Sequence, residues 1–322
     1  MKYRPLGRSA LKVSELCLGT MNFGPRTSEP DSFEILDAAL EAGINFIDTA
    51  DQYGGHLGVG TTETILGRWL AQDPARRDRI VLATKVHEPM SDDLNDRGLS
   101  ARHIQRACDA SLRRLGVDHI DLYQMHHIDR TAPVEEIWQA MDRLIAQGKI
   151  TYVGCSNFPG WSIAQASEKA IARGRLGLVS EQSLYNLIER RAELEVLPAC
   201  RAYGLGVITW SPLAGGLLAG AGPPDPGGRR QSEDAVHAAA TRADQLDRFA
   251  ALCRDVHQFP GAVALAWLLH QPGVVSTIIG PRALEQLTSV LHVPELTLGV
   301  ETLAALDEIF PACGPAPEAY AW

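Results

Sequence analysis

The sequence predicts a (β/α)8 TIM barrel that forms a single domain over residues 1–322. Eight short apolar runs alternate strictly with longer stretches of helical periodicity. Such alternation requires parallel strands with right-handed crossovers, and successive runs begin about 25–40 residues apart, as compact strand–helix units do. A chain of 322 residues is long enough for two domains, but α/β barrels of this size commonly form one.

The eight predicted strands are short and apolar, and the predicted helices between them are longer and amphipathic. The strands cover residues 16–20, 45–49, 80–85, 120–126, 151–156, 179–182, 206–210 and 276–280. The helices cover residues 31–42, 62–71, 101–115, 133–147, 160–172, 191–203, 262–270 and 283–290. Gly43, Gly148 and Gly204 each stand at the end of a predicted helix, where glycine readily adopts the left-handed conformation that ends it.

Two segments depart from simple strand–helix repetition. Residues 3–6 and 11–14 flank Gly7-Arg8-Ser9-Ala10, which predicts a small N-terminal β-hairpin. A long loop covers residues 220–248, between the seventh and eighth strands, and residues 222–230 are too rich in Pro and Gly for regular structure. Such a loop is usually a lid or binding segment, or is disordered, and the sequence leaves both open.

A doubly wound Rossmann fold is the main alternative for eight strand–helix repeats. It normally carries G-x-G-x-x-G directly after its first strand. Here that strand is followed by Thr20-Met21-Asn22-Phe23-Gly24, and the glycine-rich residues 54–60 do not have the pattern either. The barrel is therefore favoured.

The composition argues against several classes of function. The net charge of -9 and the pI near 5.6 argue against a nucleic-acid or membrane-surface role, because both favour a basic face. The six cysteines form no C-x-x-C pair, which indicates reduced thiols rather than a disulfide framework or a zinc ribbon. With no secretory signal visible and no apolar run long enough to span a bilayer, the sequence predicts a cytoplasmic protein. A homo-oligomer is left open.

Polar residues at the carboxyl ends of the predicted strands indicate an active site, because that face carries the chemistry of α/β barrels. The second strand ends near Asp48, the third at Lys85 and the fourth at His126, and Tyr53 follows Asp48 by five residues. Buried Asp, Lys and His residues that met at one mouth would be expected to pair. A lysine held by an aspartate beside a tyrosine would lower the tyrosine pKa from about 10, which suits a general acid.

Seven motifs in this order resemble the successive signatures of the aldo-keto reductase superfamily, with similar spacing from about residue 3 to residue 310. They are Asn45-Phe-Ile-Asp-Thr-Ala-Asp-Gln-Tyr-Gly54, Ala83-Thr-Lys85, Asp121-Leu-Tyr-Gln-Met-His126, Gly154-Cys-Ser-Asn-Phe158, Ser180-Glu-Gln-Ser-Leu-Tyr-Asn186, Trp210-Ser-Pro-Leu-Ala-Gly-Gly216 and Ile279-Gly-Pro-Arg282. Their variants are similar to the subgroup of bacterial general reductases, deoxysugar-pathway reductases and potassium-channel β subunits.

The resemblance implies NADPH-dependent reduction of a small-molecule aldehyde or ketone. The catalytic tetrad of the family falls on Asp48, Tyr53, Lys85 and His126. Tyr53 would protonate the carbonyl oxygen, Lys85 would tune Tyr53, Asp48 would orient Lys85, and His126 would help to position the carbonyl. The cofactor would supply the hydride.

The resemblance also assigns cofactor contacts. Ser156, Asn157 and Gln182 would bind the carboxamide, Trp210 would stack on the nicotinamide ring, and Arg282 would bind the 2′-phosphate and so favour NADPH over NADH. The remaining assigned cofactor residues are Thr20, Met21, Asp48, Ser211, Pro212, Leu213, Ala214, Gly215, Gly280 and Gln286.

Two smaller expectations concern the ends of the cofactor. Relatives often carry Glu and Asn where this chain has Ser289 and Val290, so its adenine contacts are expected to be weaker or differently made. Arg229 and Arg230 in the long loop would clamp the cofactor phosphates if the loop closed, although a charged loop tip is usually only solvated.

Two other functions compete with carbonyl reduction, and the adjacent histidines raise the question of a metal site. A nucleotide-deoxysugar keto- or enoyl reductase stays open, although His126 favours C=O over C=C chemistry, because some enoyl-reducing relatives lack this histidine. A non-catalytic NADP-binding regulatory subunit is disfavoured, since the channel subunits have Asn in its place. A metal site at His126 and His127 is not expected, because adjacent strand residues face opposite sides and no cluster of carboxylates or cysteines accompanies them.

Overall fold

A computed structural model describes residues 1–220 and 233–321. Its eight parallel strands close into one barrel in which each strand pairs with the next along the chain and the last pairs with the first. The strands are β3 (Leu16–Gly19), β4 (Phe46–Asp48), β5 (Val81–Val86), β6 (Ile120–Met125), β7 (Ile150–Ser156), β8 (Leu178–Leu184), β9 (Gly206–Trp210) and β10 (Val274–Ile279). The predicted TIM barrel is confirmed.

The predicted N-terminal hairpin is confirmed as β1 (Tyr3–Pro5) and β2 (Lys12–Ser14), which pair antiparallel. It lies across the amino ends of the barrel strands. Arg4 binds it there, since its guanidinium pairs with Glu15 at 2.7 Å and donates to the backbone oxygen of Val274 at 2.6 Å. This closes one end of the barrel.

Helices surround the barrel between the strands. They are α1 (Glu29–Glu41), α2 (Thr61–Gln72), α3 (Ala75–Asp78), α4 (Ala101–Leu115), α5 (Val134–Ala146), α6 (Gly160–Ala172), α7 (Val196–Tyr203), α8 (Glu233–Thr241), α9 (Ala243–Asp255), α10 (Pro260–His270), α11 (Leu284–Thr288), α12 (Val300–Ile309) and α13 (Glu318–Ala321). The bounds of α4 and α6 are as predicted, whereas the predicted helix at 191–203 begins as a 3-10 turn, Arg191–Glu193, before α7. None of the described helices is long and apolar enough to cross a membrane.

The long loop predicted at residues 220–248 is partly wrong. Its second half forms α8 and the start of α9, because the run from residue 233 is rich in Ala, the strongest helix former. Residues 222–230, with Arg229 and Arg230, lie outside the described residues.

The core has two layers, as strand alternation requires. Inward-facing side chains fill the barrel, among them Cys17, Phe46, Val81, Leu122 and Ile208. A larger cluster joins the outer face of the strands to the helices. Within the barrel, apolar residues occupy the end nearest the hairpin, and the opposite end, where the strands finish, carries polar side chains.

Candidate active site

Three of the four predicted catalytic side chains meet at the carboxyl ends of β4 and β5. Asp48 is the last residue of β4, Lys85 lies on β5, and both are buried. Lys85 Nζ donates to Asp48 Oδ2 at 2.5 Å, to the backbone oxygen of Thr49 at 2.9 Å and to the Tyr53 hydroxyl at 3.3 Å. The lysine therefore links the aspartate to the tyrosine.

Lys85 carries its charge inside the barrel. Burial, the largest influence, lowers its pKa, but the attraction of Asp48 and Tyr53 and their hydrogen bonds outweigh it and leave the pKa above its ordinary value. The ammonium group thus lies against the half-buried hydroxyl of Tyr53, where it favours negative charge on that oxygen.

Asp48 is held by residues from the far side of the barrel. Its Oδ1 accepts from Gln124 Nε2 at 3.0 Å and from Gln182 Nε2 at 2.9 Å, and Gln182 also donates to Gln124 Oε1 at 3.2 Å. With Lys85 on the other oxygen, both carboxylate oxygens have charge-compatible donors, which a buried carboxylate requires. Gln124 was missed as a site residue, and the available signal was its position two residues before His126 in the predicted strand 120–126, where alternation would put both on one face.

His126 follows the last residue of β6 and its ring faces Tyr53. The two ring centroids lie 6.0 Å apart in an edge-to-face arrangement. Burial, and then the charge of Lys85 with smaller contributions from His127 and His87, lowers the His126 pKa to about 2. The imidazole is therefore neutral at physiological pH and can donate or accept a single hydrogen bond at each nitrogen. Its Nδ1 is buried and has no hydrogen-bond partner among the described residues.

His126 and His127 do not face opposite sides, and this prediction was wrong. Strand β6 ends at Met125, so the alternation of a strand no longer applies beyond it. The two imidazole rings are stacked, with centroids 4.9 Å apart and planes 11° apart. A carboxylate accompanies them too, since Glu88 Oε1 lies 3.2 Å from His127 Nε2.

The residues assigned to the nicotinamide carboxamide form one hydrogen-bonded chain. Trp210 Nε1 donates to Asn157 Oδ1 at 3.0 Å, Asn157 Nδ2 donates to Ser156 Oγ at 3.0 Å, and Ser156 Oγ donates to the Gln182 backbone at 2.8 Å. Asn157 Nδ2 also donates to the backbone oxygen of His126 at 3.1 Å. Asn157 adopts a left-handed φ of 58°, a conformation that is uncommon outside glycine and concentrates at functional sites. The chain continues through Gln182 to Asp48, so this group and the candidate catalytic residues share one network.

The turn after β9 supports the expected pyrophosphate site. Ser211 and Ala214 have left-handed φ values of 52° and 49°, and Gly215 has one of 67°. A Cβ atom at Gly215 would meet no atom of the described residues within 4 Å, so among these residues the backbone there leaves room for a ligand to approach. Pro212 is buried and Leu213 half-buried, which anchors the turn to the barrel. These features suit a bound dinucleotide.

The last strand leads to the residues assigned to the adenosine end. Gly280 is exposed, and its backbone oxygen accepts from Asn22 Nδ2 at 2.9 Å. The backbone nitrogen of Arg282 donates to Gln286 Oε1 at 2.8 Å, which places Gln286 beside the half-buried arginine. Val290 is buried in the outer core, so its side chain packs against the protein instead of facing the predicted adenine position.

Two of the predicted cofactor-binding residues, Thr20 and Met21, follow the end of β3 and would begin the cofactor groove. Thr20 is buried and donates through Oγ1 to the backbone oxygen of Asp48 at 3.0 Å, whereas Met21 is 40% exposed. Thr20 therefore ties β3 to β4 behind the candidate site, and of the two predicted groove residues Met21 offers the larger accessible surface.

Comparisons with known proteins show what the chain is similar to. The model of the aldo/keto reductase family matches residues 15–310. The chain is 50% identical over 335 residues to the uncharacterized oxidoreductase YrpG of Bacillus subtilis (strain 168), with all of both chains covered. It is 33% identical to a versiconal hemiacetal acetate reductase of Aspergillus parasiticus, with 96% of each chain covered. It is 35% identical to a probable voltage-gated potassium channel subunit beta of Oryza sativa subsp. japonica, with 96% of this chain and 92% of the relative covered.

Proposed function

The chain belongs to the aldo/keto reductase family of oxidoreductases, and from this premise we propose that it reduces an aldehyde or ketone to the alcohol with NADPH. The observation that carries the proposal is the buried Asp48–Lys85 pair with the Tyr53 hydroxyl 3.3 Å from Lys85 Nζ. The names of two fungal relatives, the versiconal hemiacetal acetate reductase and a norsolorinic acid reductase at 32% identity, agree with a reductase.

Tyr53 is the proposed proton donor. As the carbonyl carbon accepts a hydride, negative charge develops on the carbonyl oxygen, and the Tyr53 hydroxyl transfers its proton there. The phenolate left behind lies beside the Lys85 ammonium, which stabilises it electrostatically in a site of low dielectric constant. Asp48 keeps Lys85 in place, and Gln124 and Gln182 keep Asp48 in place.

His126 is the proposed positioning group for the carbonyl. Its neutral imidazole lies edge-to-face with Tyr53, so an N–H could donate to the same oxygen that Tyr53 protonates. A neutral donor suits this role, because it orients the carbonyl without competing with Tyr53 to supply the proton.

NADPH supplies the hydride when it is bound. Ser156, Asn157 and Gln182 would fix the carboxamide, and Trp210 would lie against the ring; the turn from Ser211 to Gly215 would hold the pyrophosphate. The guanidinium of Arg282 suits the 2′-phosphate in charge and shape, which favours NADPH over NADH.

The proposal also covers the domain organisation, the class of substrate and the location of the protein. Residues 1–322 are proposed to form one domain, since the eight strands share one closed barrel. The proposed substrate is a small-molecule carbonyl compound, and neither a nucleic acid nor a membrane is a proposed partner. A cytoplasmic location is proposed because all six cysteines are free thiols and five of them are buried, which is typical of proteins in a reducing compartment.

The proposal is tested by NADPH oxidation with an activated aromatic aldehyde in wild type and Tyr53→Phe. Loss of the proton donor should lower kcat by at least about a hundredfold, the usual contribution of general acid catalysis, while NADPH still quenches tryptophan fluorescence on binding. Tyr123→Phe is the matched control, because Tyr123 is buried on β6 and its hydroxyl donates a long hydrogen bond of 3.4 Å to the backbone oxygen of Ile104. A Tyr53→Phe enzyme with the wild-type rate would refute the proton-donor assignment. Tight NADPH binding by wild type with no turnover would favour a regulatory subunit instead.

A further inference from the structure

We propose that Glu88, His126 and His127 form a binding site for Zn²⁺, or another divalent cation with the same ligand preference, and that its occupation inhibits carbonyl reduction. The metal site depends only on these side chains. The inhibition rests on the function proposed above, because it requires His126 to face the substrate.

The three residues converge from two neighbouring strands. Glu88 follows the end of β5, and His126 and His127 follow the end of β6. One potential ligand atom of each residue lies within 4.8 Å of the others. Two imidazoles and one carboxylate form a donor set that Zn²⁺ uses when a fourth position is left for water or substrate.

One edge of a tetrahedral site already has the required length. Ligand bonds of about 2.0–2.1 Å at tetrahedral angles separate neighbouring donor atoms by about 3.3 Å. His127 Nε2 and Glu88 Oε1 are 3.2 Å apart. His126 would keep its buried position, while the His127 ring rotates out of the stacked arrangement about its Nε2 atom, which keeps the distance to Glu88 and turns the lone pair toward the shared ion. The His127 side chain is 43% exposed and that of Glu88 is 25% exposed, so both have room for this movement.

The surroundings of the three ligands support a cation. His87 Nδ1 lies 3.3 Å from Glu88 Oε1, the oxygen that also faces His127, and would help to orient it, as hydrogen bonds to metal-binding carboxylates typically do. His126 brings a buried nitrogen, Nδ1, that has no hydrogen-bond partner among the described residues. The nearby charge of Lys85 opposes a cation, but Asp48 at 2.5 Å largely neutralises it.

Occupation of this site would remove His126 from the reaction. An ion on one imidazole nitrogen would fix the ring, so that the other nitrogen could no longer turn toward the carbonyl oxygen, and it would place positive charge beside the ring that faces Tyr53. Inhibition should therefore be competitive with the carbonyl substrate. It should not be competitive with NADPH, because none of its proposed contacts lies on β5 or β6 or in the residues that directly follow them.

The test is titration of the full chain with zinc chloride by isothermal titration calorimetry, followed by inhibition kinetics. Wild type should bind one Zn²⁺ per chain. His127→Ala should weaken binding at least about tenfold, since even contacts behind a ligand change affinity by that factor, and Glu88→Gln should act in the same direction. His119→Ala is the matched control, because His119 is 44% exposed and lies 3.7 Å from Asp121, like His127 beside Glu88, but precedes β6 at the opposite end of the barrel.

The two proposals fail separately. If wild type binds no Zn²⁺, or if His127→Ala and Glu88→Gln bind it as tightly as wild type, the metal site is refuted whatever the enzymatic activity. If Zn²⁺ binds as expected but the chain reduces no carbonyl, the metal site stands and the proposed function fails. Zn²⁺ that binds without lowering the rate of carbonyl reduction would refute the inhibitory role.

Discussion

Glu181 is a fully buried carboxyl group on β8, and its replacement by glutamine should change how the stability of the protein depends on pH. Its Oε1 accepts from the backbone nitrogen of Phe158 at 3.2 Å and from Ser183 Oγ at 2.9 Å. The amide oxygen of Gln can accept the same two bonds, and Gln has the shape of the protonated acid. Glu181→Gln therefore removes the ionisation with little change in packing.

The size of the effect follows from the pKa of the carboxyl group. Burial raises the pKa of Glu181 from 4.5 to about 7, against the hydrogen bonds from Cys155, Ser183 and the backbone of Phe158 and Asn157. The folded state therefore keeps a proton that the unfolded chain has lost, and stability falls as the pH rises from 4.5 toward 7. At about 1.4 kcal/mol per pH unit, this difference amounts to about 3 kcal/mol.

The assay is urea unfolding of wild type and Glu181→Gln at a series of pH values. From about pH 5 to about pH 8, wild type should lose about 2–3 kcal/mol of unfolding free energy relative to the variant. Glu34→Gln, which removes an exposed carboxyl group on α1, should follow wild type throughout. Parallel curves for wild type and Glu181→Gln would show that this carboxyl group titrates alike in both states and would refute the reasoning.

Two other predictions concern the cofactor and the closed end of the barrel. Arg282→Ala should raise KM for NADPH about ten- to a hundredfold in steady-state kinetics, because a charged hydrogen bond contributes about 1.5–3 kcal/mol. The same substitution should leave KM for NADH nearly unchanged. An equal effect on both cofactors would contradict the assignment of Arg282 to the 2′-phosphate. Gly7→Ala should lower the unfolding free energy by about 3 kcal/mol or more, because φ is +56° and a Cβ would press on Val179 O and lie 2.6 Å from Gly206 N. Gly116→Ala, with φ of +65° and no atom of the described residues within 4 Å of the added Cβ, should cost only about 1–2 kcal/mol, and equal losses in urea unfolding would argue against a steric cause.

The fold was largely predictable because its signals are local. Each strand is a short apolar run, and each is followed by helical periodicity that a reader of the sequence can detect. The cap residues reinforce this, as at α4, where Ser100 accepts from the His103 backbone at the start and Gly116 ends the helix with a left-handed φ. The helices α8 and α9 were missed, because the Pro- and Gly-rich residues before them led the whole segment to be predicted as a loop.

The candidate site was predictable to the extent that it follows from strand ends. Asp48, Lys85 and His126 stand at the ends of consecutive strands, and a closed parallel barrel must bring such ends to one rim. Gln124 was missed, because one glutamine in a barrel strand carries no local sign of its partner, and its bond to Asp48 spans 76 positions of sequence.

The sequence by itself determined the barrel, the face that carries the polar residues and the family resemblance, because each depends on periodicity or on motifs a few residues long. Only the tertiary structure decided which of those residues touch. It joined Asp48 to Gln124 and Gln182 across the barrel, and it ended β6 one residue earlier than predicted. With that shift His126 and His127 stack beside Glu88, because side chains beyond a strand are oriented by their neighbours in space and not by alternation along the chain.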